Sequence, residues 1–381
     1  MTLAAAGFSV EAICPRGHVL AVTTIVNRLH RYKILHGISS FKTAILESNP
    51  ALVVPCDDLA RDHLHRLHEA GEFREVIERS LGDPASYPVL ESRSRLLTLL
   101  RQEVDSAVET TAIPSAAGLR EWQAANGYPA VFKTDGSSGG YGMRVVANEA
   151  EAEAARRKLS SPPGLARAVK RALFNRNTTF LLPAWKGASP AVNAQKFIPG
   201  TEMTSTAVCW RGGVLAVLTF EVLRVMYRGG PASVVRAVEH PAIGEIVKKA
   251  AGRLGISGFC GFDFIIEEST GLPRLIELNP RATQTVHLRL DARRDAAGAL
   301  FTAATGEPAG NPPGGIPGDI VALFPQEWVR DPTSEFLRTG YHDVPWSEPA
   351  LLDRIAASTG KHSSDLPRPS RQEPAALIPR K

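Results

Sequence analysis

Cysteine is scarce in this chain of 381 residues: there are four, and no pair has C-x-x-C spacing. Cys14, Cys56, Cys209 and Cys260 are scattered, mostly in strand-like apolar runs, and read as buried reduced thiols that suit a cytoplasmic protein. No apolar run reaches the roughly 18 residues of a membrane-spanning helix, which leaves no role in a membrane. The opening MTLAAAGFSVEAIC has no basic n-region and meets Glu11 early, so it does not read as a signal peptide. The net charge of +5 is spread along the chain. Without a basic block or aromatic–basic interleaving, no nucleic-acid partner is expected. There is no G-x-x-x-x-G-K-[ST] phosphate loop, no Ser-His-Asp pattern and no internal repeat. What remains is ordinary for a globular protein, with 44 % hydrophobic and 22 % charged residues. The length suffices for two or three domains.

The most informative stretch is Tyr128 to Met143, YPAVFKTDGSSGGYGM. It reads as an apolar strand ending in Lys133, a glycine-rich tip, and a second strand, MRVVA. Gly136, Gly139, Gly140 and Gly142, with Ser137 and Ser138, crowd the tip. Glycine lets backbone N–H groups converge on a bound anion, and Lys133 at the entry adds a point charge. No helix opens from these glycines, which separates the loop from a dinucleotide fingerprint. The helix starts near Asn148, an N-cap with Glu151 three residues on.

Residues 258–283, GFCGFDFIIEESTGLPRLIELNPRAT, read as a hairpin. The strand Phe259 to Ile266 carries one acid, Asp263. Strand alternation puts Leu275, Glu277 and Asn279 on one face and Ile276 and Leu278 on the other. A turn about Thr270 sets Asp263 opposite Glu277, with Cβ atoms about 5 Å apart. Two carboxylates and an amide oxygen at one place suit Mg²⁺ shared with substrate phosphates, with Mn²⁺ as an alternative ion. Without a cation the two acids repel.

Lys133 with GSSGGYG, QKFIPGTE at 195–202, GFDFI and IELNPRAT occur in the order and at the spacing of one known family. From about Leu90 to Leu300 the chain resembles the ATP-grasp superfamily, in its carboxylate–amine ligase form. The resemblance implies an α+β ATP-grasp fold of two subdomains that grip ATP between antiparallel sheets. It implies phosphorylation of a carboxylate and attack on the acyl phosphate by an amine. Lys133, Gly136, Ser137, Ser138, Gly139 and Gly140 would hold the phosphates. Gln195, Lys196, Phe197 and Ile198 would form the hinge that faces adenine, and Glu202 would hold the ribose hydroxyls. Asp263, Glu277 and Asn279 would hold the metal ions, and Arg281 would act on the transferring phosphoryl group. A lysine that meets the nucleotide phosphates in such proteins is matched here by Arg95, which keeps the charge in a planar fork. A small-molecule kinase of the same fold, or a non-catalytic nucleotide-binding protein, stays open beside the ligase.

Outside these motifs the chain divides into four parts. Residues 1–90 alternate helix and strand, an α/β, Rossmann-like region that looks like a truncated preATP-grasp domain lacking its first strand. Its ALVV run (51–54) reads as a buried strand, followed by Asp57 and Asp58, which either touch substrate or cap the next helix. His63, His65 and His68 on that helix read as solvated. Residues 91–305 form the ATP-grasp domain, opening with a helical pattern from Leu90 to Ile113 and including an arm at 160–190. A Pro/Gly linker leads into an extension, 306–357, packed on the core. Residues 358–381 are polar and Pro-rich, the composition of a disordered tail. Small-molecule carboxylate and amine partners follow from the resemblance, and a homodimer is one open oligomeric state.

Overall fold

Runs rich in Val, Thr, Phe and Ile between Gly200 and Asn279 favour a pleated, half-buried surface, and they form the largest sheet. In the computed structural model, which describes residues 1–136, 142–161, 190–310 and 314–367, that sheet has seven strands. Their spatial order is Pro273–Asn279, Gly258–Glu267, Gly200–Trp210, Gly213–Val225, Ala232–Val238, Ile320–Ala322 and Tyr341–His342. All neighbours are antiparallel except the last pair. Arg211 and Gly212 both take positive φ, 51° and 82°. That geometry closes the tight hairpin that pairs Trp210 with Gly213.

Both faces of this sheet are covered. Leu96, Leu97 and Leu100 of the helix Arg93–Leu100, and Ile243, Val247 and Leu254 of the helix Pro241–Leu254, pack on Phe262, Phe264, Leu275 and Leu278. On the other face Leu300 of the helix Ala296–Thr305 packs with Val208, Leu218, Phe220 and Val321. Alternate residues of one strand divide between the two cores: Ala207 and Cys209 enter one, Val208 the other.

The second sheet has four antiparallel strands, in the order Thr110–Ala112, Val192–Lys196, Ala130–Thr134 and Met143–Val146. Helices Ala116–Asn126 and Glu149–Ser160 cover it around Trp122 and Phe132. The expected cap of the second helix is present. Asn148 Oδ1 accepts from the Glu151 N–H at 2.9 Å, and Glu151 accepts from the Ala147 N–H at 2.9 Å. The helical pattern expected from Leu90 to Ile113 breaks. Only Tyr87–Leu90 and Arg93–Leu100 are helical, because Ser92 caps a new helix and residues 110–112 are drawn into the sheet beside Val192–Lys196.

The N-terminal region holds two parallel strands, Glu11–Cys14 and Arg28–Arg31, and helices Gly37–Ser48, Asp58–Glu69 and Arg74–Leu81. Three expectations fail here. The ALVV run pairs with no strand: Val53 donates its N–H to Ser80 Oγ at 2.9 Å. Leu52 and Val54 face one core and Val53 another. His63 and His65 are buried rather than solvated. Tyr32 Oη lies 3.0 Å from His63 Nε2, and His65 stacks on Tyr87 at 4.2 Å. Cys56 is exposed, against the expectation of four buried thiols, while Cys14, Cys209 and Cys260 are buried.

The extension after 306 does more than pack on the core, since Ile320–Ala322 and Tyr341–His342 enlarge the sheet and Trp328 is fully buried. It also reaches the N-terminal region: Glu348 accepts from the Thr24 N–H at 3.0 Å. Ordered structure continues past 358, where a disordered tail is expected. A helical turn at Ser363–Asp365 leads to Leu366, which is buried with Trp328 and Leu352. Residues 368–381, and most of the expected arm at 160–190, lie outside the described residues. Among the described residues no helix is long and apolar enough to cross a membrane.

Candidate active site

The hairpin Gly258–Glu267/Pro273–Asn279 places Asp263 directly opposite Glu277 and Gly261 opposite Asn279. The pairing of Asp263 with Glu277 is the expected one. The alternation fails at one residue. Phe264 faces Leu275, so Ile276 is an extra residue in a bulge. The bulge sends Leu275 into the core instead of onto the Glu277 face. It also turns the Ile276 carbonyl toward the other sheet, where it accepts from Lys133 Nζ at 3.3 Å and from Gln195 Nε2 at 3.1 Å.

Opposite charges then gather around Glu277. Arg93 donates Nη1 and Nη2 to its two oxygens at 3.2 and 3.1 Å, and Lys133 Nζ lies 3.4 Å away. Burial works to raise the Glu277 pKa, but Arg93 and Lys133 outweigh it and hold the carboxyl below its usual range. Lys133 is itself buried, and that burial lowers its pKa against the pull of Glu277. Asp263 behaves oppositely. Burial, and then the Glu277 charge, push it up to about 7. Asp263 accepts from Thr204 Oγ1 at 2.9 Å and from Asn279 Nδ2 at 3.4 Å.

The set fits a hard cation. Asp263, Glu277 and Asn279 stand on adjacent strands, and turning the Asn279 amide presents its oxygen. Among the described residues no group of three or more His, Cys, Asp or Glu gathers to hold a metal. Two carboxylates and an amide suit Mg²⁺ completed by phosphates and water rather than an all-protein cage.

Lys133 is the penultimate residue of its strand, next to Thr134, whose N–H donates to Gly142 O at 2.9 Å to close the base of the glycine loop. Gly136 takes φ 66°. Ser137, Ser138, Gly139 and Gly140 lie outside the described residues. Gln195 and Lys196 end the strand Val192–Lys196, and Phe197 and Ile198 lead from the four-stranded sheet into the larger one. Gln195 is buried and also donates to Thr110 Oγ1 at 2.8 Å, and the Phe197 N–H donates to Pro129 O at 3.2 Å. Glu202, two residues before Thr204, shares the face that meets Asp263. Arg281 donates Nε to Asp58 Oδ1 at 3.2 Å.

Arg95 does not join this group. It is exposed on its helix, while Arg93, two residues earlier, reaches Glu277. Two positions along a helix of about 3.6 residues per turn are about 200° apart, so R-S-R offers two opposite directions and no local signal chooses. Also unforeseen are Asp135, which accepts from the Arg93 N–H at 3.2 Å and from Asn193 Nδ2 at 2.8 Å, and Thr204 on Asp263. Asp57 caps the helix Asp58–Glu69, accepting from the Ala60 N–H at 2.7 Å, whereas Asp58 turns to Arg281.

Residues 173–285 match the family described as an ATP-grasp domain. The N-terminal section of the carbamoyl phosphate synthase large chain of Methanopyrus kandleri is 25 % identical over 246 residues, covering 64 % of this chain and 38 % of that protein. The chain thus spans well under half the length of that relative. The biotin carboxylase domain of Hydrogenobacter thermophilus 2-oxoglutarate carboxylase, solved with MgADP, ADP and bicarbonate, superposes with a TM-score of 0.59 at 16 % identity. That match covers 82 % of this chain and 68 % of the other. N5-carboxyaminoimidazole synthetase of Staphylococcus aureus, solved with ADP, gives 0.55 at 15 % identity, covering 85 % and 76 %. At such identities these likenesses establish the fold. The match to the ATP-grasp domain itself is confined to residues 173–285.

Proposed function

We propose that this protein is an ATP-dependent, ADP-forming ligase that joins a small-molecule carboxylate to an amine through an acyl phosphate. The observation that carries the reading is the meeting of Lys133, from the glycine-loop hairpin, with Glu277 opposite Asp263 on the larger sheet. A phosphate-binding cation and a pair of metal-binding acids have little reason to share a site unless the ligand is a metal–phosphate complex.

In this reading Lys133 and the loop from Gly136 to Gly140 cradle the phosphates, and Arg93 takes the part expected of Arg95. Gln195 to Ile198 line the adenine side, and Glu202 accepts from the ribose hydroxyls. Asp263, Glu277 and Asn279 hold Mg²⁺, or Mn²⁺ in its place. Bound there, the ion neutralises charge that develops on the phosphates during transfer. Arg281 steadies the phosphoryl group as it moves to the carboxylate. The named relatives include a synthetase and a carboxylase domain solved with ADP, which supports nucleotide use.

Residues 1–90 serve as a preATP-grasp-like, Rossmann-like domain, 91–305 as the two-subdomain ATP-grasp unit, and 306–357 as an extension. The protein acts in the cytoplasm, consistent with its few scattered cysteines. A homodimer would follow the dimer described for the Hydrogenobacter thermophilus domain.

The test is a screen of carboxylic acid and amine pairs for ADP release, followed by trapping with hydroxylamine. A hydroxamate that requires both the acid and Mg·ATP is expected. ADP release that depends on a hydroxyl acceptor, with no hydroxamate, would make the protein a kinase instead.

A further inference from the structure

Arg281 leaves the hairpin one residue after Pro280, with few local restraints on a long side chain. Its surroundings supply them. The Arg281 N–H donates to Asn279 O at 2.8 Å, and the next residue, Ala282, donates its N–H to Pro55 O at 3.0 Å. The side chain donates Nε to Asp58 Oδ1 and Nη1 to Ala282 O, each at 3.2 Å. Nη2 has no partner among the described residues. A guanidinium has a fixed fork of donors, so fixing Nε and Nη1 fixes the direction of the remaining edge.

Asp58 is well placed to act as that anchor. It opens a 12-residue helix, Asp58–Glu69, where a negative charge is favoured by the helix dipole. Its neighbour Asp57 caps the helix, which leaves Asp58 free for side-chain work. Asp58 Oδ1 is held from behind by Arg61 Nη1 at 3.1 Å, and Arg61, itself buried, is tied to Asp62 at 2.8 Å. The anchor therefore has its own support. Arg281 is also near enough to Glu277 to help hold that carboxyl in its charged form.

We infer that Asp58 is a positioning residue for Arg281, so that residues 55–58 of the N-terminal region complete the phosphoryl-transfer site. This rests on the ligase reading above. Asp58 touches no substrate. It acts by removing rotamer freedom from Arg281, which otherwise opposes each productive encounter. The N-terminal region then does more than border the site: its docking sets the aim of a transfer residue carried by the larger sheet.

The experiment compares binding of MgADP with binding of MgADP plus aluminium fluoride, a mimic of the transferring phosphoryl group, so no substrate need be known. Asp58→Ala is expected to leave the MgADP Kd within about twofold and to weaken the fluoride complex about tenfold, a loss near 1.4 kcal/mol. Asp58→Glu should recover part of the loss. Arg281→Lys should weaken the fluoride complex too, and the double variant should lose little more than either alone. If Asp58→Ala does not fold, Asp58→Asn removes the charge with the shape kept and is read in the same way. An unchanged ratio of the two affinities in a folded variant, whatever its melting temperature, would show a purely structural ion pair and overturn the inference alone. Failure of the wild-type protein to bind MgADP would overturn the ligase reading, and this inference with it.

Discussion

Arg93 and Glu277 form a two-pronged ion pair, with Nη1 and Nη2 at 3.2 and 3.1 Å from the two carboxylate oxygens. This pair lets two facing acids coexist. Unit charges about 5 Å apart repel by about 3 kcal/mol at an effective dielectric of about 20. Arg93 and Lys133 favour the charged form of Glu277, while Asp263 relieves the strain by favouring its protonated form. The same two cations would turn to phosphate oxygens when a nucleotide enters.

Glu277→Gln should abolish ADP release while keeping the fold. The amide keeps shape and one acceptor, but it removes the charge that a metal ion and Arg93 both need. A lost catalytic metal contact costs several kcal/mol of transition-state stabilisation, whereas the lost ion pair should cost roughly 1–3 kcal/mol of stability. Turnover and melting temperature, measured together, check this. Near-normal turnover would exclude Glu277 as a metal ligand.

Arg93→Ala and Arg95→Ala should behave differently although two residues apart. The first leaves a mostly buried carboxylate without its main partner, at a cost of roughly 1–3 kcal/mol, and should weaken ATP binding at least tenfold. The second removes an exposed side chain and should fall within about 0.5 kcal/mol of wild type in stability, with ATP affinity unchanged. Calorimetric titration with Mg·ATP and thermal melts of both variants decide between the two positions.

Acid should destabilise the protein through His342. Burial is the main cause that lowers its pKa, from 6.5 to about 4. The unfolded chain therefore binds a proton near pH 6.5 that the folded protein refuses until about pH 4. Stability is complete above pH 6.5 and falls as pH drops from 6.5 toward 4, by roughly 2 kcal/mol at pH 5 from this residue. His65, lowered to about 3, adds a change of the same sign. His342→Leu should flatten the drop in melting temperature between pH 7.5 and pH 5. A wild-type-like slope in that variant would rule His342 out as the source.

Leu366→Ala should lower stability by roughly 2–3 kcal/mol, the usual cost of a small cavity in a packed core. The residue lies in a Pro-rich stretch with the composition of a disordered tail, yet it is buried beside Trp328 and Leu352. Denaturant unfolding measures the loss. No change would mean that this segment does not contribute to the folded core.

Local rules carried the sequence furthest where partners are close in the chain. The hairpin was legible because the turn about Thr270 and the flanking apolar runs are local, but the ladder beside the turn, with Phe264 opposite Leu275, would set Asp263 opposite Ile276, and the bulge at Ile276 brings Asp263 to Glu277. The cap of Asn148 and Glu151 was legible because both donors and both acceptors lie within one helical turn. The glycine-rich tip after Lys133 reads as a loop from composition alone.

Tertiary structure decided the rest, because the partners are distant in the chain. Arg93 meets Glu277 across 184 positions and Arg281 meets Asp58 across 223, and no periodicity reports on pairs so far apart. The bulge at Ile276, the burial of His63 and His65, and the failure of ALVV to join a sheet arise from how the sheets and cores pack together. The residue types and their local spacing determined which groups were available for phosphate and metal. The docking of the sheets on one another, and of residues 55–58 on the strand exit, determined which of those groups meet.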